Sequence, residues 1–187
     1  MTLRPLSIAA LVLLAACGPQ SLRLAVPPAE PPARVGSSFG TVELLDVSLP
    51  EYAAADDVYV QVPGNSLTQL RRVRWADDPA RAETLDLARA LGGVTGARVV
   101  PEPWPFEEPA EAQVDVRVAE MVADSSGAFL MRGQYYVASQ DGSGRDRARE
   151  FRIRIPLPAD PGPGAIAAAR GQATLALAQD IAANGLR

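Results

Sequence analysis

Apolar and polar residues alternate along much of this chain, and in two places the apolar spacing changes to that of a helix. Residues 21–26 alternate Leu22, Leu24 and Val26 against Ser21, Arg23 and Ala25, which predicts a short strand ended by Pro27 and Pro28. Residues 27–40 contain four prolines and two glycines and read as a loop. Strands are predicted over 41–49, ended by Pro50, and over 58–62; Pro63-Gly64-Asn65 makes a turn into a third over 67–75. Asp78 and Pro79 open a helix as N-cap and first helical residue, and Glu83 lies in the early turns where the helix dipole favours it. Thr84, Leu87, Ala88 and Leu91 form its apolar stripe, and Gly92-Gly93 is read as its stop.

A short strand over 98–100 precedes Pro101-Glu102-Pro103-Trp104-Pro105, which is too proline-rich for regular structure. Val114, Val116 and Val118 then alternate with Asp115, Arg117 and Ala119, and Asp124-Ser125-Ser126-Gly127 supplies a turn. Phe129, Met131, Gly133, Tyr135 and Val137 share the next apolar face; after a polar loop over 139–147, Phe151, Ile153, Ile155 and Leu157 share another. This is an antiparallel meander with one apolar and one charged face. Ile166, Ala169, Ala173, Leu177 and Ile181 predict a terminal helix over 165–184, stopped by Gly185. The elements assemble into an α+β fold, a two-layer domain with a largely antiparallel sheet packed against two helices.

The N-terminus changes the picture. Arg4, the apolar run 6–14 and the small residues Ala15-Ala16 make a secretory signal, and Leu14-Ala15-Ala16-Cys17 has the form of a lipobox. Cleavage would leave Cys17 as an acylated N-terminus. An ordinary secretory signal would instead leave a free cysteine there, and a membrane-spanning anchor needs about 20 apolar residues, more than the 11 from 6 to 16. Two or more acyl chains, at about 0.8 kcal/mol per buried methylene, hold a protein to a bilayer almost permanently. Gly18 is not the aspartate that retains many enterobacterial lipoproteins in the inner membrane, so the outer membrane, facing the periplasm, is expected. The expected organisation is a signal peptide over 1–16, a lipidated N-terminus with a short strand and proline-rich loop over 17–40, and the α+β domain over 41–187.

Charge and composition narrow the chemistry. The 187 residues carry 18 basic and 22 acidic side chains; loss of the signal leaves 17 against 22, a net charge of −5. That balance disfavours nucleic acid as a partner. All 18 basic residues are arginine, histidine is absent, and the single cysteine is Cys17. The common general base, Schiff-base amine, thiol nucleophile and soft metal ligands are therefore missing from the mature domain. No catalytic residue, cofactor or metal is expected; the covalent lipid on Cys17 is the one modification. The acidic pairs Asp56-Asp57, Asp77-Asp78 and Glu107-Glu108 would be needed by a carboxylate hydrolase, but nothing in their spacing converges them. Asp141-Gly142-Ser143-Gly144 reads as a hairpin turn. Arg145, Arg147, Arg149, Arg152 and Arg154 read as an exposed sheet face, and Trp75 and Trp104 are candidate partner contacts.

Several stretches resemble the PqiC/YmbA transport-auxiliary lipoproteins. They are Val47-Ser48-Leu49-Pro50-Glu51-Tyr52, Arg74-Trp75-Ala76-Asp77, the Trp104 loop followed by Val114-Asp115-Val116-Arg117-Val118, and the helix end Gln179-Asp180-Ile181-Ala182. The chain departs from the family pattern at residues 53–57 and at Asp77-Asp78-Pro79. The resemblance implies a non-enzymatic subunit of an MCE/ABC-type intermembrane lipid transport system. Its partners would be an MCE-domain protein and its membrane permease, with homo-oligomers known among relatives. An alternative is an independent lipid-binding lipoprotein, whose cavity would be lined by Phe129, Tyr135, Leu177 and Ile181.

Overall fold

The computed structural model describes residues 21–31, 33–140 and 142–187. The signal peptide, Cys17 and Asp141 lie outside the described residues. Eleven elements follow in order: β1 (Leu22–Leu24), β2 (Thr41–Leu44), α1 (Glu51–Ala54), β3 (Asp57–Val62), β4 (Ser66–Trp75), α2 (Pro79–Thr95), β5 (Arg98–Pro101), β6 (Ala112–Asp124), β7 (Ala128–Ser139), β8 (Arg147–Pro156) and α3 (Pro163–Asn184).

The sheet is organised on β6. One edge of that strand pairs antiparallel with β7 from Ala112↔Ser139 to Asp124↔Ala128, and β7 pairs in turn with β8, completing the expected meander. The other edge carries two short branches. Near the start of β6, β2 pairs in parallel at Val42↔Ala112 and is flanked by parallel β5. Near its end, β3 pairs in parallel at Val60↔Ala123 and forms an antiparallel hairpin with β4, whose far side takes parallel β1. The long ladders are antiparallel and the short pairings at the branches are mostly parallel. Helices α2 and α3 cover one face, where Leu87, Leu91, Val94, Ile166, Leu177 and Ile181 are all buried. The fold is α+β.

The fold departs from the sequence-based boundaries in specific places. Described residues between 33 and 40 pack on the rest of the chain: Phe39 is buried, Val35 N–H donates to Val94 O, and Ser38 N–H donates to Leu186 O. The second strand stops at Leu44 rather than 49, after which Leu45 and Ser48 N–H donate to Val114 and Val116 carbonyls along β6. Pro50 does not simply end a strand but starts α1. Helix α2 runs through Gly92 and Gly93 to Thr95 and is capped by Gly96 at φ 75°, whose N–H donates to Gly92 O. A helical glycine costs about 1 kcal/mol, and burial of Leu91 and Val94 on that last turn outweighs it. The alternation expected through 67–75 also breaks: Val73 and Trp75 are buried, whereas Leu67, Gln69 and Arg71 are exposed.

A bulge at Ala119 bends the meander. Val118 faces Gly133 and Glu120 faces Arg132, so Ala119 has no opposite number. The bulged backbone presses on Gly133, where a Cβ would lie 2.1 Å from the Arg117 carbonyl oxygen. Only glycine fits there without moving the strand. Gly133→Ala is expected to lower stability by about 1–3 kcal/mol, measured by urea denaturation; unchanged stability would show that the bulge relaxes freely.

Candidate functional site

The acidic pairs do not meet. Asp57 is bound by Arg74 at 3.0 Å on the exposed side of the β3–β4 hairpin. Asp78 caps α2, accepting from Arg81 N–H at 2.8 Å, and Asp77 forms an exposed ion pair with the Arg81 side chain. Glu107 and Glu108 lie exposed in the loop before β6. Each carboxylate has a local structural role or faces solvent, and among the described residues no cluster of three or more His, Cys, Asp or Glu could hold a metal.

The polar centre of the domain is a different set. Glu83 of α2 and Arg170 of α3 are each 2% exposed, and Arg170 Nε donates to Glu83 Oε2 at 3.1 Å. Arg170 Nη2 donates to Pro79 O at 2.9 Å, and the Thr174 hydroxyl lies 2.7 Å from Glu83 Oε1. The guanidinium sits 4.7 Å over the Trp75 ring. Glu83, placed early in α2 as expected, therefore also serves as the counter-ion of a buried arginine. Trp75, a candidate partner contact in the sequence, is 8% exposed and spends its face on Arg170. Its surroundings make it part of the core rather than of a docking surface. The signal for this cluster was present as one charge on the otherwise apolar stripe of each helix.

Trp104 has the opposite setting. Its backbone N–H donates to Glu43 Oε1 at 3.1 Å and its indole Nε1–H to Glu108 O at 2.7 Å. Glu43 is itself held by the Gln113 side-chain amide at 2.9 Å, and Glu102 accepts from Asp46 N–H at 2.7 Å. This irregular loop is thus tied to β2 through Glu43 and to the chain just after β2 through Glu102. On it, Phe106 packs edge-on against Trp104 with ring centroids 5.1 Å apart, and Arg98 of β5 lies 5.2 Å over the Phe106 ring. Phe106 is 46% exposed. The result is an aromatic shelf beside the free edge of β5. Sequence reading found Trp104 but not Phe106 or Arg98, whose proximity depends on the loop folding back.

The outer face of the meander holds an open cleft of about 720 Å³ over the bulge, lined by Arg117, Arg132, Gln134, Glu150 and Arg152 among others. Arg117 is paired with Asp115 at 2.7 Å and Arg132 with Glu120 at 2.6 Å. Most of its positive charge is therefore already compensated. Asp124, in the β6–β7 turn, would be raised by burial, yet the hydrogen bonds from Ser126 and from the amide of Ala128, with Arg154 nearby, hold its carboxyl below the usual value.

A family model of the ABC-type transport auxiliary lipoprotein component matches residues 21–182. The chain belongs to that family. The match begins at β1 and reaches the last turns of α3, so it takes in the meander, both long helices and the shelf. Two solved structures share the fold of this auxiliary component. One, of an uncharacterized protein, aligns at TM-score 0.71 with 16% identity over 88% of this chain and 97% of its own. The other, of a protein from Xanthomonas campestris, aligns at 0.68 with 16% identity over 88% and 93%. No curated protein matches by sequence. Among the described residues no helix is long and apolar enough to cross a membrane.

The buried ion pair yields a direct test. Removing one member strands a charge, so Glu83→Gln or Arg170→Met should each cost about 3–5 kcal/mol by urea denaturation, whereas Glu83→Leu with Arg170→Met should recover most of that loss. If the double variant were as unstable as either single one, packing rather than the stranded charge would be responsible.

Proposed function

We propose that this auxiliary component is an outer-membrane lipoprotein, anchored by lipid on Cys17, that docks the periplasmic part of an MCE-type lipid transporter through the shelf of Trp104, Phe106 and Arg98. The observation that carries the reading is a half-exposed aromatic held edge-on by Trp104 and beneath Arg98. Aromatic and arginine side chains that are ordered before contact lose little entropy on binding and dominate interface energies. The role is one of attachment and requires no catalytic group.

The packing of the interior favours docking over carriage. Phe129, Tyr135, Leu177 and Ile181, which would line an acyl-chain cavity, are at most 2% exposed and belong to one continuous core. The space beside Phe129 is about 20 Å³, room for one water molecule. An acyl chain would need the helices to part from the sheet.

Affinity purification from native membranes in mild detergent tests the proposal. The wild-type chain should recover an MCE-domain protein and its permease. Phe106→Ala should reduce that recovery at least tenfold while leaving thermal stability close to wild type, because the ring is half in solvent. Equal recovery by the variant would remove the shelf as the docking surface, and tightly bound lipid in native mass spectrometry would favour the carrier instead.

A further inference from the structure

The strand β1 sets the direction from which the anchor arrives. It runs parallel to β4, with Leu22 beside Val73 and Leu24 beside Trp75. The chain therefore enters the fold from the end of the sheet at which β4 begins, the tip of the β3–β4 hairpin at Pro63, Gly64 and Asn65. Five residue steps separate Cys17 from Leu22, a reach of at most about 18 Å. The hairpin projects by a similar distance: Asp57 lies opposite Arg74, next to the Leu22 level, and Val62 is five residues farther on, roughly 17 Å. An acylated Cys17 on so short a tether keeps β1, and with it the hairpin side of the sheet, within about 18 Å of the bilayer.

The surface at that end suits the encounter. No acidic residue occurs from 58 to 76 or from 18 to 29, in a chain of net charge −4. Between Gln69, which faces Tyr59, and Arg74, which faces Asp57, β4 has four residues where β3 has one, and Arg72 in this bulge has φ 61°. Arg71 and Arg72 are exposed, and their side chains have no hydrogen-bond or ion-pair partner among the described residues. Arg23 stands alongside on β1 and is exposed as well, with one of its guanidinium N–H groups given to Trp75 O at 3.2 Å and the others left for a ligand. Leu22 and Leu67 are 54% and 39% exposed, two of the four exposed large apolar side chains among the described residues.

We propose that this end of the domain, formed by the β3–β4 hairpin and β1, is laid against the phospholipid bilayer, with Arg23, Arg71 and Arg72 on anionic headgroups and Leu22 and Leu67 at the interface. The inference rests on acylation of Cys17 and adds to it an orientation. The acyl chains supply retention; the arginines fix which way the domain faces. A basic residue close to an anionic membrane strengthens attachment about fivefold, and the effect decays within a Debye length of about 8–10 Å.

The test uses the full lipidated chain reconstituted into phosphatidylethanolamine and phosphatidylglycerol vesicles containing headgroup-spin-labelled lipid. With Cys17 acylated, a thiol introduced by Asn65→Cys or Glu107→Cys is the only one free to carry a fluorophore. Quenching at least threefold stronger at 65 than at 107 is expected. It should fall to the level at 107 in Arg71→Glu/Arg72→Glu, and in the chain without that charge reversal when salt is raised from 50 to 500 mM. Equal quenching at both sites, or quenching at 65 insensitive to both charge reversal and salt, would overturn the proposal. Intact-mass measurement and flotation separate the two layers of inference. An unacylated, non-floating chain removes the anchor itself, whereas an acylated, floating chain with an unquenched hairpin removes only the orientation.

Discussion

A charge cannot be left alone in a protein interior, and the pairing of Glu83 with Arg170 is the constraint on which the helical layer depends. Isolated, either ion would cost several kcal/mol to bury; together, with Pro79 O and the Thr174 hydroxyl completing the hydrogen bonds, they are tolerated. Such a pair adds little net stability over a well-packed apolar replacement. Its effect is on register. Helix α3 buries Ala167, Ala169, Ala173, Ala178 and Ala182 beside Ile166, Leu177 and Ile181, and small alanines by themselves say little about which position along the helix is the right one. One arginine that must find one glutamate selects a single position of α3 against α2. Trp75, under the guanidinium, extends that choice to β4, and through the Leu24↔Trp75 pairing to β1.

Readable in the sequence were the parts governed by local periodicity. The meander, the Asp78 cap and the stripe of α2 follow from spacings of two, three and four residues, and each appears in the structure at nearly the expected position. What was not readable depended on partners far away in sequence. Gly92 and Gly93 look like a helix stop until burial of Val94 is known, and Glu83 looks like a dipole partner until Arg170, 87 residues later, is seen against it. The branching of the sheet belongs to the same class. Nothing local in residues 41–49 says that β2 should leave after four residues and let the chain follow β6 by single hydrogen bonds. The candidate surface was half legible for the same reason: Trp104 stands out alone, but Phe106 and Arg98 acquire meaning only when the loop returns over β5.

The branching also sets the distance between the two surfaces proposed for attachment. Both β2 and β3 run parallel to β6 and occupy the same edge of it, one at Ala112 and the other at Ala123. Eleven residues of strand at about 3.3 Å each separate these positions, roughly 35 Å. The hairpin projects from the branch at one end, and the aromatic shelf is pinned to Glu43 in the branch at the other. A domain anchored at the hairpin would thus present the shelf a strand's length from the bilayer. Because β6 is paired along one edge by β7 and at points along the other by β2 and β3, that separation is held by hydrogen-bonded strand rather than by a tether. The Ala119 bulge, accommodated by Gly133, lies between the two ends, so any bend it introduces acts on the relative direction of hairpin and shelf.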